Sequence, residues 1–217
     1  MELQRFTLNQ RIQHALLFIS TLVLIFTGLS VKYPGSWGIW TYKNAYTMGT
    51  VLLIHKMAGI ILIAAVILNI IYIFIDWGHR DIIPRRKDFS DFAQMLRFFF
   101  RKSGERPKFG RYAYYQKFDY WAVVFGCALL IPTGIILWFK SGAASVLPAS
   151  YIAAARTIHS GEAVLAILAI FIFHFYNSHY NPDDFPISWT WWHGKISEEK
   201  MKKEHPLEYE EIAKKGV

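Results

Sequence analysis

Two histidines, His159 and His174, stand fifteen residues apart on one long apolar segment, IHSGEAVLAILAIFIFHFYNSHY. At roughly 1.5 Å per residue, a helix would set them about 22 Å apart along its axis. At about 100° per residue they differ by about 60° and share a face. Imidazole inside a membrane span is costly and marks a working site. Axial ligation of two haems, one near each side of a bilayer, suits two imidazoles at this spacing. The chemistry this points to is electron transfer across a membrane.

The elements that would position such ligands are four apolar segments. The chain has 217 residues, 53% hydrophobic and 17% aromatic, with the apolar excess gathered in blocks. Ala15–Val31, Met57–Ile75 and Tyr120–Phe139 carry no charge, and Thr157–Asn177 carries only Glu162. A helical span needs about 20 mainly apolar residues. The expected fold is all-α: a membrane four-helix bundle, one domain over 1–217. Its spans fall at about 12–31, 52–76, 119–139 and 156–178, with a tail at 179–217. Nineteen of the 24 lysines and arginines lie in the N-terminal tail, in Asp76–Asp119 and after Asn177. The remaining five are Lys32, Lys43, Lys56, Lys140 and Arg156. The positive-inside rule puts both termini and the long loop in the cytoplasm. Within that loop, DFSDFAQMLRFFFR (Asp88–Arg101) has the period of a short amphipathic helix suited to the membrane surface. Trp37, Trp40, Tyr120, Trp121 and Trp138 gather at the expected span ends, as an interfacial belt does.

This topology gives each histidine a depth. His14 and His174 fall on the cytoplasmic side, His55 and His159 on the outer side. The four sort into two same-depth pairs, enough for two six-coordinate haems b. His79 and His179 read as interfacial, and His193 and His205 as solvated tail residues. Gly28, Gly59, Gly126 and Gly134 are the small residues that a porphyrin edge between helices needs. Arg156 and Lys56 each neighbour an outer ligand and could pair with propionates or snorkel to headgroups. Glu162 shares the face of His159.

Other chemistries find no support in the sequence. The single cysteine, Cys127, excludes an internal disulfide, covalent CxxCH haem attachment and a cysteine-held iron–sulfur cluster. The net charge of +8 belongs to loops between apolar blocks rather than to a nucleic-acid-binding face. There is no P-loop, no GxGxxG after a strand and no HExxH. Two alternatives stay open: a membrane transporter whose histidines bind a metal, and a haem-free anchor. The first needs three or four ligands converging at one depth.

The motifs, taken in order, resemble the cytochrome b (gamma) subunits of membrane-bound formate dehydrogenases. These belong to a wider group of dihaem cytochromes that serve hydrogenases and thiosulfate reductases. The resemblance rests on His14 with Thr27-Gly28, LIHKMAG (Leu53–Gly59), GRYAYYQKFDYW (Gly110–Trp121), TGIILW (Thr133–Trp138), TIHSGEA followed by His174, and the terminal EHPLEYEEI. It implies haem ligation by His55 with His159 and by His14 with His174. It also implies an iron–sulfur partner subunit on the outer side, a catalytic subunit beyond it, and a quinone, menaquinone by preference, near the inner haem. Tyr112, Gln116 and Lys117 match the family's quinone-pocket loop, whereas Ala113 and Tyr115 stand where the family carries Asn and Gly. The His159–His174 separation is one residue longer than the family's, which rotates His174 by about 100° unless the helix adjusts locally. The resemblance thus implies an electron-transfer subunit of an oxidoreductase complex, embedded in membrane lipid of a bacterial or archaeal plasma membrane.

Overall fold

The computed structural model describes residues 1–35, 37–39, 47–75, 77–101, 104–180 and 187–214. Trp40, Lys43, Lys102 and Lys215 lie outside the described residues, as do the side chains of His79 and Arg101. The protein is mostly helical. Four helices are long and apolar enough to cross a membrane: α1 (Leu8–Lys32), α2 (Met48–Ile75), α4 (Tyr114–Trp138) and α6 (Ala149–Ser178). A further helix, α3 (Arg86–Arg101), fills the long loop, and α5 (Lys140–Val146) precedes α6. All four long helices start before the expected spans, and in α1, α2 and α4 local caps start them among polar residues. Thr7 and Gln10 form a reciprocal capping box before α1: Gln10 N donates to Thr7 Oγ1 at 3.3 Å and Thr7 N to Gln10 Oε1 at 2.9 Å. Thr47 Oγ1 accepts from Thr50 N at 3.2 Å before α2. Ala113 has no side-chain acceptor to offer, yet its N–H donates to Gln116 Oε1 at 2.9 Å before α4.

The chain forms two compact units, interleaved along the sequence. An apolar unit comprises Ile12–Tyr72 and Val123–Phe173. Its packing is inverted relative to a soluble core. Most buried positions are small or polar: Ser20, Thr27 and Ser30 in α1, Ala58 and Ala65 in α2, Cys127 and Thr133 in α4, Ala155 in α6, with Val51, Leu62 and Ile152 the larger exceptions. Large side chains such as Phe18, Phe26, Ile67, Leu68, Phe125, Leu165 and Ile172 are exposed. Helices solvated by lipid pack in this way, small residues at the contacts and polar groups as glue. Asn69 Nδ2 donates to Gln13 Oε1 at 3.0 Å, tying α2 to α1. Within α6, Ala169–His174 adopts a π-helical turn. A π-turn holds one more residue than an α-turn, so this turn is a local adjustment of the helix immediately before His174.

A polar unit comprises Met1–Arg11, Ile73–Ala122 and His174–Val217. It contains a small antiparallel sheet, β1 (Glu2–Gln4) with β2 (Lys195–Ser197), in which Leu3 pairs with Ile196. Three short helices flank β2: α7 (Thr190–His193), α8 (Glu198–Glu204) and α9 (Pro206–Lys214). Leu3, Ile196 and Met201 make its apolar core, with Tyr209 and Ile212 against it. Gly194 closes the entry to β2 with φ 77°, where an added Cβ would lie 2.6 Å from the Phe6 carbonyl oxygen. The all-α expectation did not include this sheet.

The unit's centre is ionic. Arg5 Nη1 donates to Glu208 Oε2 and Arg5 Nη2 to the Arg111 carbonyl. Arg111 Nη1 donates to Glu208 Oε1 at 3.0 Å. His205, read from sequence as solvated, is 2% exposed. It hydrogen-bonds the Gly110 carbonyl through Nδ1 at 2.7 Å, and Arg5 Nη2 lies 3.2 Å from its Nε2. Burial, with the positive Arg5 beside it, lowers its pKa to about 3. The correction has a plain cause: a short polar tail carries no periodic signal, so the burial of His205 depends on a partner 200 residues away. His193 is exposed, as expected.

Candidate functional site

The apolar unit brings His55 of α2 and His159 of α6 together, with ring centroids 6.3 Å apart and planes at 71°. Each ring is held from behind by a threonine on a neighbouring helix. Thr27 Oγ1 of α1 lies 2.8 Å from His55 Nδ1. Thr133 Oγ1 of α4 lies 3.1 Å from His159 Nδ1, and the Leu130 carbonyl is also 3.1 Å from that nitrogen. Glycines complete the seat. A Cβ at Gly28 would lie 3.4 Å from His55 Cε1, and one at Gly134 would lie 3.1 Å from His159 Cε1. Each ring therefore rests against a helix at its Thr-Gly step, where the absence of a side chain permits the approach.

This arrangement fits a metal held between the rings. A haem iron would take neutral imidazole nitrogens, and these two rings stand side by side as candidate donors. With both Nδ1 atoms engaged, both Nε2 atoms are the ones left for a ligand. Among the described residues, no third histidine, cysteine or carboxylate joins His55 and His159 as a possible ligand. The set suits a bis-imidazole axial pair, and it lacks the three or four ligands that zinc takes.

The charges around this pair are distributed unequally. Lys56 Nζ stands over the Trp138 ring at 5.3 Å. Arg156 is exposed. Lys32 Nζ donates to Ser160 Oγ at 3.0 Å, bringing a third cation next to His159 that the sequence reading passed over. Glu162 lies over Gly126, whose added Cβ would meet Glu162 Oε1 at 3.0 Å. A Cβ at Gly59 would meet nothing within 4 Å, so that glycine makes no comparable seat.

His14 lies half-buried on α1 in the apolar unit. His174 belongs to the polar unit, where its Nδ1 sits 2.5 Å from Asp119 Oδ2. The His179 ring packs edge-on against His174, centroids 5.4 Å apart, and against Trp191 at 5.9 Å. Asp119 is a partner the sequence reading missed, although it stands inside the GRYAYYQKFDYW motif. Also in the polar unit, the three motif residues at the start of α4 have set positions. Tyr112 lies under both Arg5 and Arg111, each guanidinium 5.7 Å from its ring centre. Gln116 caps α4 through Ala113 N. Lys117 Nζ pairs with Asp88 Oδ2 at 2.9 Å, both side chains largely buried, which ties α4 to α3.

A family model described as prokaryotic cytochrome b561 matches residues 5–182. Among curated proteins, the nitrate-inducible formate dehydrogenase cytochrome b556(Fdn) subunit of Escherichia coli K12 is 25% identical over 202 residues, covering 93% of this chain and 87% of its own. The formate dehydrogenase cytochrome b556(fdo) subunit of the same organism is 25% identical over 210 residues, covering 97% and 93%. The corresponding nitrate-inducible subunit of Shigella flexneri matches to the same extent as the first.

Proposed function

The chain belongs to the prokaryotic cytochrome b561 family, and from that premise we propose that it is the dihaem membrane subunit of a formate dehydrogenase-like complex, carrying electrons between its partners and a quinone. It is a membrane cytochrome b subunit for electron transfer, in a prokaryotic inner membrane. The observation that carries the reading is the His55–His159 pair, ring centroids 6.3 Å apart with both Nδ1 atoms occupied. In this reading His55 and His159 hold one haem b, and His14 and His174 hold a second. Bound haem supplies reversible one-electron chemistry. The protein's own part is to fix ligand geometry, exclude water with apolar helices and keep cations at the edge. Lys56, Arg156 and Lys32 are the proposed partners for propionates at the first pair.

Orientation is argued from charge. β1 and β2 join the N-terminal segment to the tail, which supports both ends lying on one side. The lysine and arginine bias makes that side cytoplasmic. α3 is proposed to lie on the inner leaflet: Phe89 and Phe100 are 74% and 84% exposed, with Arg86 and Arg97 on the same short helix. The quinone, menaquinone by preference, is assigned to the start of α4, with Tyr112 just before the helix and Gln116 and Lys117 in its first turn. An iron–sulfur subunit and a catalytic subunit are the proposed partners at the opposite, outer side.

A reduced-minus-oxidised spectrum with a pyridine haemochrome assay on the purified subunit tests this. Two haems b per chain are expected. A folded, detergent-purified chain from haem-replete membranes with none would favour a haem-free anchor. A stoichiometric transition metal in its place would favour the transporter.

A further inference from the structure

We infer that Thr27 and Thr133 are positioning residues that fix the tautomer and tune the donor strength of His55 and His159. This role rests on the proposed haem ligation, and each proton can be traced. The Thr27 hydroxyl lies 2.6 Å from the carbonyl of Val23, one turn back on its own helix. The Thr133 hydroxyl lies 2.6 Å from the carbonyl of Leu129 in the same way. A hydroxyl has one hydrogen, and a carbonyl can only accept. Each threonine therefore spends its hydrogen on its own helix, as buried Ser and Thr side chains do. Towards the histidine, Oγ1 has only lone pairs left to present. The contacts at 2.8 Å and 3.1 Å are then Nδ1–H donating to Oγ1. With the proton fixed on Nδ1, the Nε2 lone pair is free for iron.

The two halves are built alike. α1 and α4 each supply a Thr-Gly step; α2 and α6 each supply the histidine that rests on it. Threonine and histidine are 28 residues apart in one hairpin and 26 in the other. The glycine seats the ring, and the threonine selects its proton. The halves differ in one respect: His159 Nδ1 also has the Leu130 carbonyl at 3.1 Å, whereas Thr27 is the acceptor found for His55.

An acceptor on Nδ1–H makes the ligating nitrogen more basic. A more basic axial ligand favours ferric over ferrous haem and lowers the potential. Thr27→Val keeps the shape and removes the acceptor. In a redox titration of the purified, haem-loaded subunit, Thr27→Val should raise the midpoint potential of one of the two haems and leave the other unmoved. Thr27→Ser should restore it. Thr133→Val should shift the same haem upward by less, because the Leu130 carbonyl remains. If Thr27→Val loses that haem outright while Thr27→Ser keeps it, the hydroxyl is required and the inference also stands. An unmoved potential in Thr27→Val at full haem content would overturn it. So would loss of haem in both Thr27→Val and Thr27→Ser. Wild-type protein without haem would instead sink the parent reading.

Discussion

The two ends of the proposed electron path are backed by different chemistry. His55 and His159 lean on neutral hydroxyls inside an apolar unit, with glycines beneath the rings. His174 leans on the carboxylate of Asp119, inside a unit whose centre is a buried Arg5–Glu208–Arg111 network. A hydroxyl orients a ligand and adds modest electron density. A carboxylate does both more strongly, since charge-assisted hydrogen bonds are roughly twice as strong as neutral ones. Under the proposed ligation, one fold would give its two bis-histidine sites distinct potentials without changing a ligand.

The comparison breaks most sharply at the ligands. His55→Ala should remove one haem of two and leave the second spectrally intact, as read by haemochrome content. Glu208→Ala addresses the other unit. It leaves the buried Arg5 guanidinium without its carboxylate and takes a partner from the partly exposed Arg111, and breaking a buried pair by one partner costs about 3–5 kcal/mol. The polar unit should then unfold at lower denaturant, as read by limited proteolysis of the tail, while the His55 haem signal persists. Asp119→Asn keeps a hydrogen-bond acceptor for His174 but removes its charge. The potential of the haem that survives in His55→Ala should rise, and by more than Thr27→Val shifts the other haem.

The smallest effect is set by pH. Folded His205 titrates at about 3, far below an ordinary histidine, because burial and Arg5 disfavour its charged form. Between about pH 6.5 and 3 the unfolded chain therefore binds a proton that the folded one does not. This contribution to stability is complete above about pH 6.5 and declines as pH falls towards 3. Thermal melts of the polar unit should show that loss, and His205→Gln should reduce its slope in this window. An unchanged slope would remove His205 from the account.

The spans were legible because apolar runs of this length have few other uses. Ala169–His174 forms a π-turn at the point where the sequence left a local adjustment open. The threonine partners were not legible. Thr27 and Thr133 stood out only as marks of resemblance, because a hydroxyl's aim depends on which helix it faces, 28 or 26 residues away. The repeated Thr-Gly step, once on α1 and once on α4, was the available signal. The polar unit was the least visible. Its core is small, and its strongest bonds join Arg5 to Glu208 across 203 residues. Segments that read as loop and tail close around those bonds.

The central claim is a pairing, and it is tested most directly by counting haems in the four single variants His14→Ala, His55→Ala, His159→Ala and His174→Ala, with the surviving haem of each resolved by redox titration. The expected result is two classes: His55→Ala and His159→Ala keep the same haem, and His14→Ala and His174→Ala keep the other. Folded variants that retain two haems, or a His55 variant whose surviving haem matches that of the His14 variant, would contradict it.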